Sequence, residues 1–366
     1  MKKILFLMHH ADSTYWFKKE LIDSLINKGY QVHLAVPNVD SIRGRLDKSV
    51  FFYEIEIDRR GVNLLSDLNL YRKYKQIIKG INPSIIYTAA IKPNIYGNLA
   101  AKQYRIPVIS NITGLGNAFQ NRKSILFFII KNLYKKAFKS VTKVFFENVE
   151  SSEIFLTHNL IKKDKVVIVQ GSGVNIEKFK PTINEKANDS ITFLLIGRIM
   201  KEKGINEYVA ASIKLSEKYG NINYMIMGMV EEKQLLEEIC NNQIINYLGE
   251  LDDPREEIFK ADCIVLPSYH EGMANTLLEG AAMGKPLIAS NISGCKEIIE
   301  EGITGFLCKP KDAEDLYLAM EKIILMTKAE RFEMGEKGRE KMVSEFDRSN
   351  VVKKYIEEAE KVINNN

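Results

Sequence analysis

Glu271 and Glu279 stand with seven residues between them. The first falls in a polar loop after the apolar run 263–267, and the second falls one turn into a short helix that stops at Gly284-Lys-Pro286. Asn275 reads as the N-cap of that helix, which leaves the backbone N–H groups of about 276–278 open to a phosphate. Two carboxylates beside a phosphate make sense only if they hold sugar hydroxyls while other groups carry the phosphate. Arg198 and Lys203 are candidates for those groups. They lie in Gly197-Arg198-Ile-Met-Lys201-Glu-Lys203-Gly204, directly after the apolar run 192–196. Arg supplies a planar fork for phosphate oxygens and Lys a mobile point charge. A structural ion pair is the plainer reading of these two cations.

The first half offers a second set of polar loops. His9, His10, Ser13 and Lys18 follow the first apolar run, 4–8, and Lys18 sits where it can face an anion. Lys92 precedes a proline, which places it in an extended loop after the run 84–87. Ile112-Thr113-Gly114-Leu115-Gly116-Asn117 follows the run 107–111, and its glycines let backbone approach a ligand closely. The stretch 122–139 interleaves bulky apolar residues with Arg122, Lys131, Lys135, Lys136 and Lys139. It reads as an interfacial amphipathic helix or as a core helix with a basic outer face. Ordinary structural or solvated roles are the plainer alternative for His9, His10 and Lys18.

Several chemistries are excluded. There is no G-x-G-x-x-G after the first strand and no Walker spacing anywhere. The cysteines, Cys240, Cys263, Cys295 and Cys308, form no C-x-x-C pair and read as structural thiols of a reducing compartment. Asp252-Asp-Pro-Arg-Glu256 resembles a metal cluster at first sight but reads as a helix cap, with Asp253 at N-cap, Pro254 at the first position and Glu256 at the third. No Asp-x-Asp follows a strand, so no metal and no other cofactor is expected. The longest apolar run, Ile125-Leu-Phe-Phe-Ile-Ile130, falls far short of the roughly 18–20 residues that span a bilayer. The opening Met1–Met8 reads as a strand and not as a signal peptide.

Charge is divided unevenly. Residues 1–180 hold 29 Lys and Arg against 14 Asp and Glu, whereas residues 181–366 hold 23 against 33. A basic first half suggests an anionic partner. Without a helix-turn-helix, zinc-finger or RNP-like pattern, a membrane or a diphosphate is favoured over nucleic acid.

The elements that must position these loops alternate along the whole chain. Strand-like runs at 4–8, 31–36, 51–57, 84–87, 107–111 and 143–146 are separated by helical stretches at 15–28, 66–79, 94–104 and 125–139. After a break at Gly171, Gly173 and Pro181 and a turn-rich stretch 184–190, alternation restarts. Strands are expected at 192–196, 223–227, 244–247 and 263–266, and helices at 204–218, 231–240 and 255–260. This is the signature of two doubly wound α/β domains with parallel sheets. The expected division is 1–172, 173–345 and a C-terminal helix over 346–363, within 346–366, that packs on its own domain or crosses back to the first. Ligands then bind outside the carboxyl ends of the strands.

Taken together, Gly197-Arg198…Lys203-Gly204 and Glu271-Gly272…Leu278-Glu279 resemble the retaining glycosyltransferases of family 4. Gly171-Ser-Gly-Val-Asn-Ile-Glu-Lys-Phe-Lys-Pro181, Gly294-Cys-Lys-Glu297 and Gly302-Ile-Thr-Gly-Phe-Leu307 extend the resemblance over nearly the whole chain. It implies the GT-B fold, two Rossmann-like domains facing each other across a cleft. It implies that Arg198 and Lys203 hold the donor diphosphate, Glu279 the ribose and Glu271 the transferred sugar. The amides of Gly272, Met273, Ala274, Asn275 and Thr276 would approach the phosphates, and Gly228 and Leu251 would line the base pocket. His10, Ser13, Lys18, Lys92, Thr113, Gly114 and the basic helix at 125–139 make the first domain resemble bacterial enzymes that extend glycans on undecaprenyl diphosphate. The implied reaction moves an N-acetylhexosamine such as N-acetylgalactosamine from a UDP-sugar to an undecaprenyl diphosphate-linked saccharide, in surface-polysaccharide or glycoprotein glycan assembly. The implied location is cytoplasmic, on the inner face of the cell membrane. A UDP-sugar 2-epimerase and a non-catalytic sugar-nucleotide binder are the alternatives on the same fold.

Overall fold

The computed structural model describes residues 1–58, 63–116, 119, 123–181 and 190–364. Asn117, Arg122, residues 184–189 of the turn-rich stretch, and the last two asparagines lie outside the described residues. The chain divides into two units, Met1–Ser172 with Ser349–Asn366, and Gly173–Arg348.

In the first unit, β1 (Lys3–Leu7), β2 (Gln31–Val36), β3 (Phe51–Glu54), β4 (Ile85–Ala89), β5 (Val108–Ile112), β6 (Lys143–Phe146) and β7 (Val166–Ile168) form one parallel sheet. Its order is β3-β2-β1-β4-β5-β6-β7. The central strands are continuous apolar runs because helices cover both faces and leave no strand face for water. The helices are α1 (Ala11–Asn27), α2 (Asp40–Arg43), α3 (Leu64–Ile81), α4 (Asn98–Tyr104), α5 (Ile125–Ala137) and α6 (Val149–Thr157), with a π-helical turn at Pro93–Gly97 leading into α4. Residues 55–57 do not continue β3 as expected. This is the sheet edge, and the Glu54 carboxylate instead accepts the amides of Asn38 and Val39 at 2.8 and 2.9 Å.

The second unit repeats the plan. Strands β8 (Ile191–Ile196), β9 (Ile222–Met227), β10 (Ile245–Tyr247), β11 (Cys263–Leu266), β12 (Leu287–Ser290) and β13 (Gly305–Cys308) are parallel in the order β10-β9-β8-β11-β12-β13. Helices α7 (Ile205–Lys218), α8 (Lys233–Asn241), α9 (Arg255–Lys260), α10 (Asn275–Ala282), α11 (Ala313–Leu325) and α12 (Lys328–Glu345) connect and cover them. In each sheet the order reverses beside a central strand, between β1 and β4 and between β8 and β11. The connections there diverge to opposite faces and open a crevice at the carboxyl ends.

Two helix starts differ from the sequence reading. Helix α9 begins at Arg255 with Pro254 at its N-cap. Asp253 is drawn to the Arg255 side chain, at 2.5 Å, and to its amide, at 3.2 Å, so the cap shifts by one residue. The last helix, α13 (Arg348–Asn364), starts two residues late. Val174 donates to the Phe346 carbonyl at 2.9 Å and accepts from the Arg348 amide at 3.0 Å, a bridge across Asp347 that keeps residues 346–347 out of the helix.

Helix α13 completes the core of the first unit. Val351, Tyr355, Ile356, Ala359 and Ile363 pack with Leu21, Ile22 and Leu25 of α1. The Tyr355 ring stacks on Phe145 at 4.1 Å between centroids, and its carbonyl accepts the Tyr87 hydroxyl at 2.9 Å. Tyr355→Ala is expected to destabilise this domain by about 3–5 kcal/mol, the cost of emptying a large buried aromatic site. Tyr355→Phe should keep most of the stability, and urea denaturation followed by circular dichroism distinguishes the two.

Candidate active site

In the second unit, the loops after β8 and β11 leave the switch point side by side. The β8 loop carries Arg198 and Lys203, and the β11 loop carries Glu271. Lys203 Nζ reaches Glu271 Oε1 at 2.5 Å, with both side chains largely buried. Arg198 Nη1 meets Glu231 Oε1 at 2.7 Å, and Arg198 itself remains 45% exposed. The structure therefore joins a cation and a carboxylate that are 68 residues apart in sequence. It also adds Glu231 as the partner that aims Arg198. Nothing local in the sequence marks Glu231, because the pairing arises only when β9 lies beside β8.

Backbone contact brings these loops together. Gly228 has φ +143°, and a Cβ there would stand 2.1 Å from the Gly197 carbonyl oxygen. Gly228 also donates to the Gly249 carbonyl at 2.8 Å, which ties the segment leading to the half-exposed Leu251 to the Arg198 loop. Gly294 has φ +88°, and a Cβ there would stand 2.7 Å from the Gly272 carbonyl oxygen. Glu297 holds this turn by accepting the Gly294 amide at 2.7 Å.

Helix α10 differs from expectation at its start. Ala274 is the N-cap and Asn275 the first helical residue, with no side-chain cap. The cause is the Ala274 amide, which donates to the Gly294 carbonyl at 2.9 Å and so starts the helix one residue early. That amide is occupied and is not available to a phosphate. The amides of Asn275 and Thr276, in the first helical turn, have no intrahelical acceptor. Asn275 Oδ1 is buried without a hydrogen-bond partner, as are Ser268 Oγ and Glu202 Oε2 near the same loop. Orphaned buried polar atoms are rare in native folds, and a polar ligand at this loop would satisfy these three.

Glu279 lies one turn into α10 and is half-buried. Burial pushes its carboxyl up to about 7, against the opposing pull of the nearby Arg348 and Lys178 cations. Lys178 and Arg348 are cations near Glu279 that spacing alone did not reveal.

The first-unit candidates fare differently. His10 caps α1, its Nδ1 accepting the Ser13 amide at 3.3 Å, and Ser13 Oγ donates back to the His10 carbonyl at 3.2 Å. His9 and His10 line a cleft of about 420 Å³ with Asn38, Glu56 and Asp58, at the carboxyl ends of β1 to β3. Lys18 is not on an open face: it is buried, with its Nζ 4.5 Å from the centre of the Tyr355 ring and 3.5 Å from that hydroxyl. Its charge also opposes the rise to about 7 that burial imposes on Glu147. Lys92 is not in an extended loop. It is helical, φ −67° and ψ −47°, and its ammonium pairs with Asp67 at 2.7 Å. The left-handed Ala90, φ +73°, makes the turn ahead of it. Asn94 supports that turn through its amide to the Ala90 carbonyl at 2.9 Å and its side chain to Thr88 and the Asn111 carbonyl at 2.6 and 2.8 Å. Thr113 is exposed and Gly114 half-exposed after β5.

The Glu279 carboxyl gives a pH prediction. A carboxyl raised from 4.5 to about 7 binds its proton more tightly in the folded state, so stability from this group is present below about 4.5 and lost as pH rises through about 7. Glu279→Gln removes that loss. Its melting temperature relative to the parent should therefore rise between pH 5 and pH 8, as read by differential scanning calorimetry. Separately, Gly228→Ala should push the Gly197–Arg198 backbone away and lower the second domain's melting temperature while leaving the first domain's unfolding unchanged.

Comparison with known proteins agrees with this fold. Residues 176–341 match the model for glycosyl transferases group 1, and residues 3–148 match the glycosyl transferase 4-like model. The N,N'-diacetylbacillosaminyl-diphospho-undecaprenol alpha-1,3-N-acetylgalactosaminyltransferase of Campylobacter jejuni is 28% identical, over 99% of this chain and 100% of its own. The UDP-Gal:alpha-D-GlcNAc-diphosphoundecaprenol alpha-1,3-galactosyltransferase of Escherichia coli is 26% identical, over 82% of this chain and 81% of its own. A solved glycosyltransferase from Rickettsia africae superposes with a TM-score of 0.79 at 21% identity, covering 100% of this chain and 99% of that one. With both halves matched and both sheets built on the same plan, the chain belongs to the glycosyltransferases with the GT-B fold.

Proposed function

We propose that this glycosyltransferase moves an N-acetylhexosamine, such as N-acetylgalactosamine, from a UDP-sugar to a saccharide on undecaprenyl diphosphate, with retention and formation of an α-linkage. The observation that carries the reading is the Lys203–Glu271 pair, beside Arg198, at the carboxyl ends of adjacent strands. The activities of the Campylobacter and Escherichia relatives support the acceptor class, and the latter's supports a UDP-sugar donor.

In this reading Arg198 and Lys203 neutralise the donor diphosphate and stabilise the charge that develops on it as the sugar departs. Glu271, the counter-ion of Lys203 without donor, accepts from hydroxyls of the transferred sugar. Glu279 accepts from the ribose. The amides of Met273, Asn275 and Thr276 approach the phosphates, and Gly228 and Leu251 flank the base. The bond from C1 to the diphosphate oxygen breaks, the acceptor oxygen attacks C1 from the same face, and the acceptor proton passes to the departing diphosphate. The charges on the diphosphate are met by side chains, so no metal is required. In the first domain the cleft beside His9 and His10 takes the acceptor saccharide, with Thr113 and Gly114 on the same sheet edge. Lys18 and Lys92 serve that domain as internal counter-charges. No described helix is long and apolar enough to cross a membrane, in keeping with peripheral attachment to the inner membrane face.

The test is incubation with radiolabelled UDP-sugars and a polyprenyl diphosphate-linked saccharide. Transfer from a UDP-N-acetylhexosamine with α-configuration is expected, and no transfer from any common donor would refute the reading. Lys203→Ala and Glu271→Ala should each lower kcat by about 10²–10³-fold, the usual cost of removing one electrostatic contact to the reacting centre. Glu279→Ala should act mainly on KM for the donor. Chelation with EDTA should leave the rate unchanged.

A further inference from the structure

We infer that the face of the first domain built by α3, α4 and α5 is a docking surface for an anionic bilayer, with the starts of α3 and α5 as its inserting edge. The inference deepens the lipid-acceptor reading and rests on it for its purpose, though its evidence is separate.

Charge is the first observation. Residues 68–146 contain no Asp or Glu and 14 Lys and Arg, in a chain that holds 47 acidic residues overall. This span runs from the second turn of α3 to the end of β6. The one acid of α3, Asp67, is buried, where it pairs with Lys92 and accepts the Tyr96 hydroxyl at 2.9 Å. Outward, these helices present exposed Arg72, Lys73, Lys79, Lys102, Lys135 and Lys136, with no exposed acid among their own residues to oppose them.

Apolar exposure is the second. Leu64 and Leu65 are 81% and 73% exposed, with Leu68 one turn on. Ile125 is 80% exposed, with Phe128 and Ile129 on the following turn. The buried stripe of each helix lies elsewhere, at Leu70, Tyr74, Ile77 and Ile78 in α3 and at Phe127, Tyr134 and Ala137 in α5. These exposed residues are therefore surplus to the core.

Topology makes one surface of the two clusters. Helices α3 and α5 follow β3 and β5 of the same parallel sheet and both pack against α4 and its preceding π turn. Their first turns accordingly lie at the same carboxyl edge, on the same side of the sheet. Large aliphatic residues at the leading edge and cations behind them match a bilayer, whose anionic headgroups take the cations while the aliphatics enter the interface. A second copy of this chain on the same face would bring like charges together. Nucleic acid would leave the aliphatic edge unsatisfied.

The test uses the full-length protein in vesicle co-sedimentation, with phosphatidylcholine alone and with a phosphatidylcholine–phosphatidylglycerol mixture. Binding to the anionic vesicles only, weakened by salt, is expected. Lys135→Glu with Lys136→Glu should weaken it by about tenfold or more, since each basic residue near such a surface is worth roughly fivefold. Ile125→Ser with Phe128→Ser, and Leu64→Ser with Leu65→Ser, should weaken it by a similar factor. Phe332→Ser, at an exposed site of the second unit, should leave it unchanged. All patch positions are exposed, and unchanged melting temperatures exclude misfolding. Equal binding to neutral vesicles, patch variants that bind like the parent, or a dimer dissolved by the patch substitutions would overturn the inference. A water-soluble short-chain acceptor separates the two readings, because patch variants should use it at the parent rate. Vesicle binding without transfer to any lipid-linked acceptor would sink the proposed reaction and leave the docking surface standing.

Discussion

The second-domain site depends on backbone touching backbone. At Gly228 against Gly197, and at Gly294 against Gly272, the contacting chains leave no room even for a methyl group. Side chains at those points would force the loops apart. Without them, the ends of β8, β9, β11 and β12 converge, and Lys203 and Glu271 meet at 2.5 Å. Partly buried charges interact more strongly than exposed ones because less water screens them. Each then needs a partner whenever no ligand is present, which Lys203 and Glu271 provide for one another.

The same accounting of buried charge explains the first domain. Lys18 and Lys92 both stand after strands where an anion could bind, yet both are taken up internally, Lys18 against Tyr355 near Glu147 and Lys92 by Asp67. A cation drawn below the surface must find a nearby carboxylate or pay heavily in lost hydration. The cations left outside are those further along the helices, where solvent or an anionic surface can serve them.

Much of the architecture was legible in the residues. The alternation of continuous apolar runs with amphipathic stretches signals parallel strands covered on both faces, and those elements are present with small shifts. The Arg198…Lys203 and Glu271…Glu279 spacings pointed to loops that the fold does place at strand ends. Other features were not legible. The early start of α10 depends on a hydrogen bond from Ala274 to Gly294, twenty residues on. Lys92 is helical in spite of the following proline because the buried Thr88–Asn94–Asn111 contacts hold the turn. Glu231 pairs with Arg198, and Lys178 and Arg348 come near Glu279, without any local motif.

By itself, then, the sequence determined the two-domain parallel α/β plan, the strand-end loops that matter and the uneven charge of the two halves. These follow from periodicity, composition and short-range spacing, which are local properties. The tertiary structure alone decided which charges pair, which amides stay open and which apolar residues are left outside the core. Those outcomes depend on contacts between segments tens to hundreds of residues apart, and burial sets their energies. No local pattern encodes how much water a given side chain will lose.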